Sequence, residues 1–180
     1  MKITKPYIYC MGLTKIDSIE LSRYLLAKCG GMSHLKLQKM IYYVEAWHLA
    51  YFEESIVDDE FEAWMHGPVS QKIWHKFKDF EFPLHNILTV KTDEVPTIIS
   101  ELESKVIPDQ KELISDVLEE YGNKSAYYLE CLTHSELPWI EARNGYPPDT
   151  KCSNKISKKT MQKFYRQALY GESKDKTASA

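Results

Sequence analysis

The side chains able to do chemistry in this chain of 180 residues are six histidines, four cysteines and a scatter of carboxylates. A metal centre needs several of them at ligand spacing. His34, His48, His66, His75, His85 and His134 form no HExxH pair and no His-Cys pattern at zinc spacing. Cys10, Cys29, Cys131 and Cys152 stand far apart without a CxxC pair, which fits reduced thiols filling a core better than a zinc knuckle or a disulfide framework. No metal and no cofactor is expected.

Thr133-His134, followed by Pro138-Trp139 and Arg143, offers a general base and an anion clamp. No nucleophile or second acid accompanies them at a telling spacing, so no catalytic residue is assigned. His134 reads instead as a cap on backbone groups between helices and Arg143 as the partner of a carboxylate. His48 lies on an apolar stripe and reads as a hydrogen-bonded core histidine.

His66-Gly67-Pro68 supports two readings that do not exclude each other: a turn demanded by backbone geometry, and a rigid recognition element with an exposed imidazole. Trp47 and Trp139 are assigned to core packing, whereas Trp64 and Trp74 divide between core and interface. Tyr42 and Tyr43 are neighbours on a helix, so one of them is expected to be an exposed anchor.

These residues need elements to position them. Asp17 with Glu20 resembles a capping box opening a helix that Gly30 ends after Cys29. Ser33 caps the next helix, of about 18 residues, in which Leu37, Met40, Ile41, Val44, His48 and Tyr51 form a core stripe. Lys36, Lys39, Tyr43 and Glu45 fall mainly off that stripe and are expected to be wetter.

Alternation from Phe61 to His66 predicts a short two-faced strand, with Glu62, Trp64 and His66 on one side. A helix is expected from Pro68 to about Phe80–Pro83, carrying Val69, Ile73, Trp74 and Phe77. Further helices are read after Pro96, from Pro108 to a stop at Gly122, after Ser125, from Pro138 to Arg143, and from Ser157 to Gly171. The fold class is mainly α: a single-domain helical bundle with a short β element around residues 61–66. Residues 1–16 form an N-terminal extension, 17–170 the helical domain and 171–180 a flexible polar tail.

The formal charge of −3 argues against a general nucleic-acid binder. Residues 93–120 are strongly acidic, however, while Lys151, Lys155, Lys158, Lys159, Lys163 and Arg166 make the last segment basic. That segment fits DNA, an acidic toxin face, or plain solvent. No apolar stretch approaches the roughly 20 residues of a membrane span, and the opening MKITKPYIYC has no signal-peptide core, so a cytoplasmic location is expected.

The blocks LKLQKMIYYVEAWHLAYF, FEAWMHGPVSQKIWHKF and LTHSELPWIEAR occur in an order that resembles the Panacea domain of the phage-associated SocA-like antitoxins. The resemblance extends from about Asp17 to Tyr165. Glu45 departs from it, standing where a small or amide residue is commoner. The resemblance implies a mainly α-helical antitoxin that neutralises a cognate toxin, usually encoded by the adjacent gene, by direct protein contact. Masking and presentation to a cellular protease are both compatible with it, and no cofactor is implied.

Leu37, Gln38, Trp47, His48, Thr133, His134, Pro138, Trp139 and Arg143 constitute the structural motif. Lys39, Tyr43, Trp64, His66, Gly67, Pro68 and Trp74 are the candidate toxin contacts. The alternatives are a DNA-binding regulator using the basic last helix and, less favoured, a small hydrolase using His66 or His134. A nucleic-acid partner is disfavoured by the acidic total, and no enzymatic activity is expected.

Overall fold

The computed structural model describes residues 12–78 and 87–171, the last two as backbone only. Cys10, His85, the expected helix end at Phe80–Pro83, most of the N-terminal extension and residues 172–180 lie outside the described residues.

The expected helices are present. Helix α1 spans Ser18–Cys29 and is capped by Asp17, whose carboxylate accepts from the backbone N–H groups of Ile19 and Glu20. Gly30 closes it in the left-handed region at φ 72°. The long helix α2 spans His34–Phe52 and has Ser33 as its N-cap.

After the shorter α3 (Gln71–Phe77) come α4 (Val95–Lys105) and α5 (Pro108–Tyr121). Helices α6 (Ala126–Ser135), α7 (Leu137–Arg143) and α8 (Lys158–Gly171) complete the α-structure. Strands β1 (Met32–Ser33) and β4 (Ile87–Leu88) form one small antiparallel pair, and β2 (Phe61–Trp64) and β3 (Gly67–Ser70) form another. The molecule is thus mainly α.

One boundary and one cap conformation differ from the sequence reading. Gly67 to Ser70 form β3, not the start of a helix, and α3 begins only at Gln71 with Ser70 as its cap. Proline tolerates a helical first turn, but here its missing N–H is better placed in a strand, where Pro68 stands opposite Ala63. Helix α5 stops before Gly122, yet that glycine is right-handed at φ −61° and makes no left-handed cap.

The largest correction concerns α2. Every residue of it except Lys36 and Tyr51 is buried, and Lys39, Tyr43 and Glu45 are fully so. A single apolar stripe predicts one wet face, but α1, α5, α6, α8 and β3 pack around this helix on all sides. The same enclosure buries both Tyr42 and Tyr43, so neither is an exposed anchor. Their rings meet edge to face at 5.5 Å, and Tyr165 of α8 packs against both.

A helix enclosed in this way must satisfy its polar residues inside the protein. Glu45 Oε2 accepts from Ile56 N at 2.9 Å and Val57 N at 3.1 Å, and its other oxygen lies 2.9 Å from Lys158 Nζ. His48 Nδ1 donates to Glu54 O at 2.6 Å, which leaves Nε2 to accept from Gln110 Nε2 at 2.9 Å. That neutral arrangement and burial agree with a pKa pushed down to about 4. The core assignment of His48 therefore holds.

Tyr43 Oη and Tyr165 Oη donate to the carboxylate of Glu136, at 3.3 and 2.6 Å. Burial outweighs these bonds and raises the Glu136 pKa to about 7. The folded state holds this proton more tightly than the unfolded chain does. The associated stability is complete below the ordinary carboxyl pKa and is lost as pH rises through about 7. Relative to the native protein, Glu136→Gln should therefore gain on the order of 2 kcal/mol between pH 5 and pH 8. Denaturant titrations at the two pH values measure this; an unchanged difference would contradict the assignment.

Candidate functional site

The hairpin β2–β3 is a ribbon of two strands, and both of its outer edges find partners. On the β3 edge the adjacent residues Gln38 and Lys39 of α2 stand in for a third strand. Gln38 Oε1 accepts from Ser70 N at 2.9 Å, Gln38 Nε2 donates to Ser70 O at 3.3 Å, and Lys39 Nζ donates to Pro68 O at 3.0 Å. Pro68 and Ser70 are two residues apart, so their carbonyls leave the strand on the same side.

On the β2 edge, Ala63 N donates to Asn154 O, Ile156 N donates to Phe61 O, and Arg143 Nη1 donates to Ala63 O at 3.0 Å. Trp139 Nε1 donates to Trp64 O at 3.1 Å.

Arg143 therefore has backbone carbonyls as partners, not the expected carboxylate. It also donates to Thr150 O at 2.8 Å and to Pro147 O, and its guanidinium lies over Trp139. His134 does not cap backbone groups: its ring stacks on Trp139 at 4.1 Å. The remaining motif residues Leu37, Gln38, Trp47, Thr133, Pro138 and Trp139 are buried as structural parts, with Trp47 Nε1 donating to Tyr121 Oη at 3.0 Å. Cys152 is buried and Cys29 partly so, but Cys131 is exposed and fills no core.

Of the seven candidate contacts, the structure brings Trp64, His66 and Trp74 to one cleft of about 650 Å³. The two indoles meet at 5.2 Å, and Trp74 is backed by the ring of His34 at 5.1 Å. His66 Nδ1 lies 2.9 Å from Glu130 Oε1, while its side chain remains 41% exposed. Gly67 and Pro68 are buried behind the turn, and Lys39 and Tyr43 lie in the interior, so these four cannot touch a partner directly.

Gly67 needs to be glycine twice over. Its φ is +90°, and a Cβ there would stand 2.6 Å from Lys39 Cε and 2.8 Å from Thr133 Oγ1. Beneath it Lys39 is fully enclosed, and desolvation lowers its pKa to about 7 although nearby Glu130 favours the charged form.

Of the other residues that line the cleft, Glu62 was read only as a strand neighbour of Trp64 and Lys151 only as part of the basic segment, and Met65 and Ser153 were given no surface role. Strand alternation places Glu62 beside Trp64. The 151–153 segment has no such signal, because it arrives from distant chain. Among the described residues, no group of three or more His, Cys, Asp or Glu is placed to hold a metal ion, and no helix is long and apolar enough to cross a membrane.

Half of the six cations of the basic last segment are engaged within the molecule. Lys158 meets Glu45, Lys155 meets Glu60 and Arg166 meets Glu53. Lys151, Lys159 and Lys163 are exposed.

The result is a mainly α-helical domain that carries an aromatic cleft beside a braced hairpin. The family described as antitoxin SocA-like, Panacea domain, matches residues 37–140, more than half of the chain. The chain belongs to that family. No curated protein and no solved structure matches it.

Two measurements check the bracing. Gly67→Ala should cost about 1–3 kcal/mol through its left-handed backbone and the contact with Lys39, read as a lower thermal midpoint. For Lys39, the unfolded chain binds the proton more tightly than the folded one. Its burial cost is therefore full at and below pH 7 and fades as pH rises towards the ordinary lysine value. The stability of Lys39→Met relative to the native protein should accordingly fall by on the order of 2 kcal/mol between pH 6.5 and pH 9.5. A constant difference would place the ammonium in water.

Proposed function

We propose that this protein is an antitoxin that neutralises a cognate protein toxin, encoded by the adjacent gene, by binding it directly, without catalysing a reaction of its own. The family match over residues 37–140 carries this reading, since it supports an antitoxin-like role and hence a protein partner. The surface for that partner is the cleft lined by Trp64, His66 and Trp74. Half-buried tryptophans in a preformed hollow are the side chains that most often anchor an interface, because they bury large area at small entropic cost.

The bracing of the hairpin supports the same reading. Rigid elements hold Trp64 and His66 before a partner arrives, so little ordering remains to be done on binding. Masking the toxin's working surface and delivering it to a cellular protease both begin with this complex. The protein-partner reading is favoured over the DNA-binding one because three of the six cations in the basic segment already pair with carboxylates.

Co-expression with the neighbouring gene product tests the proposal. The native chain should rescue growth and co-purify with the toxin. Trp64→Ala and Trp74→Ala should each weaken the complex about 30-fold or more while the far-UV spectrum and thermal midpoint show a folded protein. Absence of a complex with the native chain would reject the antitoxin reading. Unaltered affinity of both folded variants would move the interface elsewhere.

A further inference from the structure

The cleft holds a carboxylate, that of Glu62, which makes no ion pair among the described residues. Glu62 Oε2 accepts from Trp64 Nε1 at 2.7 Å, and Oε1 accepts from Gln71 Nε2 at 2.6 Å. Both donors are neutral, and no lysine, arginine or histidine of the described residues pairs with Glu62, whereas the neighbouring Glu60 has Lys155. Two hydrogen bonds therefore hold a full negative charge in one position beside two indole rings.

That combination has a definite preference. Indole faces carry negative electrostatic potential and attract cations, more strongly where water is displaced, and a fixed carboxylate adds direct charge attraction. A guanidinium suits the place better than an ammonium: it is planar, stacks on indole and loses little hydration. It can also bond to Glu62 through the lone pairs that Trp64 and Gln71 leave open. Lys151 also lines the cleft and has the other sign, but it is exposed and makes no ion pair among the described residues, so its long side chain can turn into water when a cation enters.

We propose that the cleft is an arginine-binding pocket: it takes an arginine side chain of the protein partner, packed against the edge-to-face pair of Trp64 and Trp74 and bonded to Glu62. This names the partner chemistry of the surface described above and rests on the antitoxin reading only for the partner's identity. The cleft of about 650 Å³ exceeds one arginine side chain, which leaves room for the flanking residues of an extended segment.

The test uses the full chain labelled with 15N and follows the indole N–H signals of Trp64 and Trp74, assigned with the single Trp→Phe variants. N-acetyl-arginine amide is titrated against N-acetyl-citrulline amide, which keeps the shape and loses the charge, and against N-acetyl-glutamate amide. Both indole signals should shift with the arginine compound at millimolar concentration, and at least tenfold more weakly with the other two. Glu62→Gln should bring the arginine compound to the level of citrulline.

Equal response to arginine and citrulline, a stronger response to glutamate, or an arginine response untouched by Glu62→Gln would overturn the proposal. The comparison of the three compounds on the native chain requires no variant, so a failure of Glu62→Gln to fold leaves it decisive. A toxin complex that forms yet is indifferent to Glu62→Gln rejects the arginine pocket and spares the antitoxin reading. Selective arginine binding without any toxin complex rejects the antitoxin reading and spares the pocket.

Discussion

A two-stranded ribbon has two unpaired edges, and the arrangement of this protein follows from how those edges are closed. The amide of Gln38 pairs with both backbone groups of Ser70 and the ammonium of Lys39 with the carbonyl of Pro68, so one turn of a helix replaces a strand. The opposite edge is shared by the 154–156 backbone and the guanidinium of Arg143. An isolated hairpin of four-residue strands is marginal in water. Fastened at both edges to α2 and α7, it becomes rigid enough to present Trp64 and His66 in one orientation.

The same logic extends along α2. Two of its buried polar residues serve the irregular chain that follows it, Glu45 the 56–57 backbone and His48 the carbonyl of Glu54, and His48 also meets the amide of Gln110 on α5. Gln110 in turn bonds the backbone N–H and C=O of Thr14. Glu45 is thus a working part of the core. A buried polar side chain costs stability unless its bonds are made, and here those bonds tie a loop, a strand and a second helix to the central helix. Lys39 is the expensive member, with one hydrogen bond for an ammonium, and it lies directly under the turn at Gly67.

The bracing residues and the cleft residues are thus interleaved in sequence, and Gln38, which bonds Ser70 and also lines the cleft, joins the two sets in space. Gln38, Lys39, Gly67, Pro68, Trp139 and Arg143 face inward and hold the hairpin; Glu62, Trp64, His66 and Trp74 border the cleft. Trp139 links the two groups, since its indole donates to the carbonyl of Trp64 while its ring carries His134 and Arg143.

Local chemistry was enough to read the helix caps at Asp17, Ser33 and Ser125, the proline at the start of α5, the alternation of β2 and the core role of His48. Each depends on neighbours within a few residues, or on a periodicity that the chain displays by itself. The wet face expected for α2, the exposed tyrosine, the carboxylate partner of Arg143 and the contact roles of Lys39 and Tyr43 were decided otherwise. Periodicity reports how many faces of a helix are apolar but not how many neighbours cover it, and once α2 is covered on every side its polar residues turn into internal partners. The cleft depends on the fold most of all, because Glu62, Trp74 and Lys151 come from a strand, a helix and a late loop, and only the packing of these elements brings them to one place.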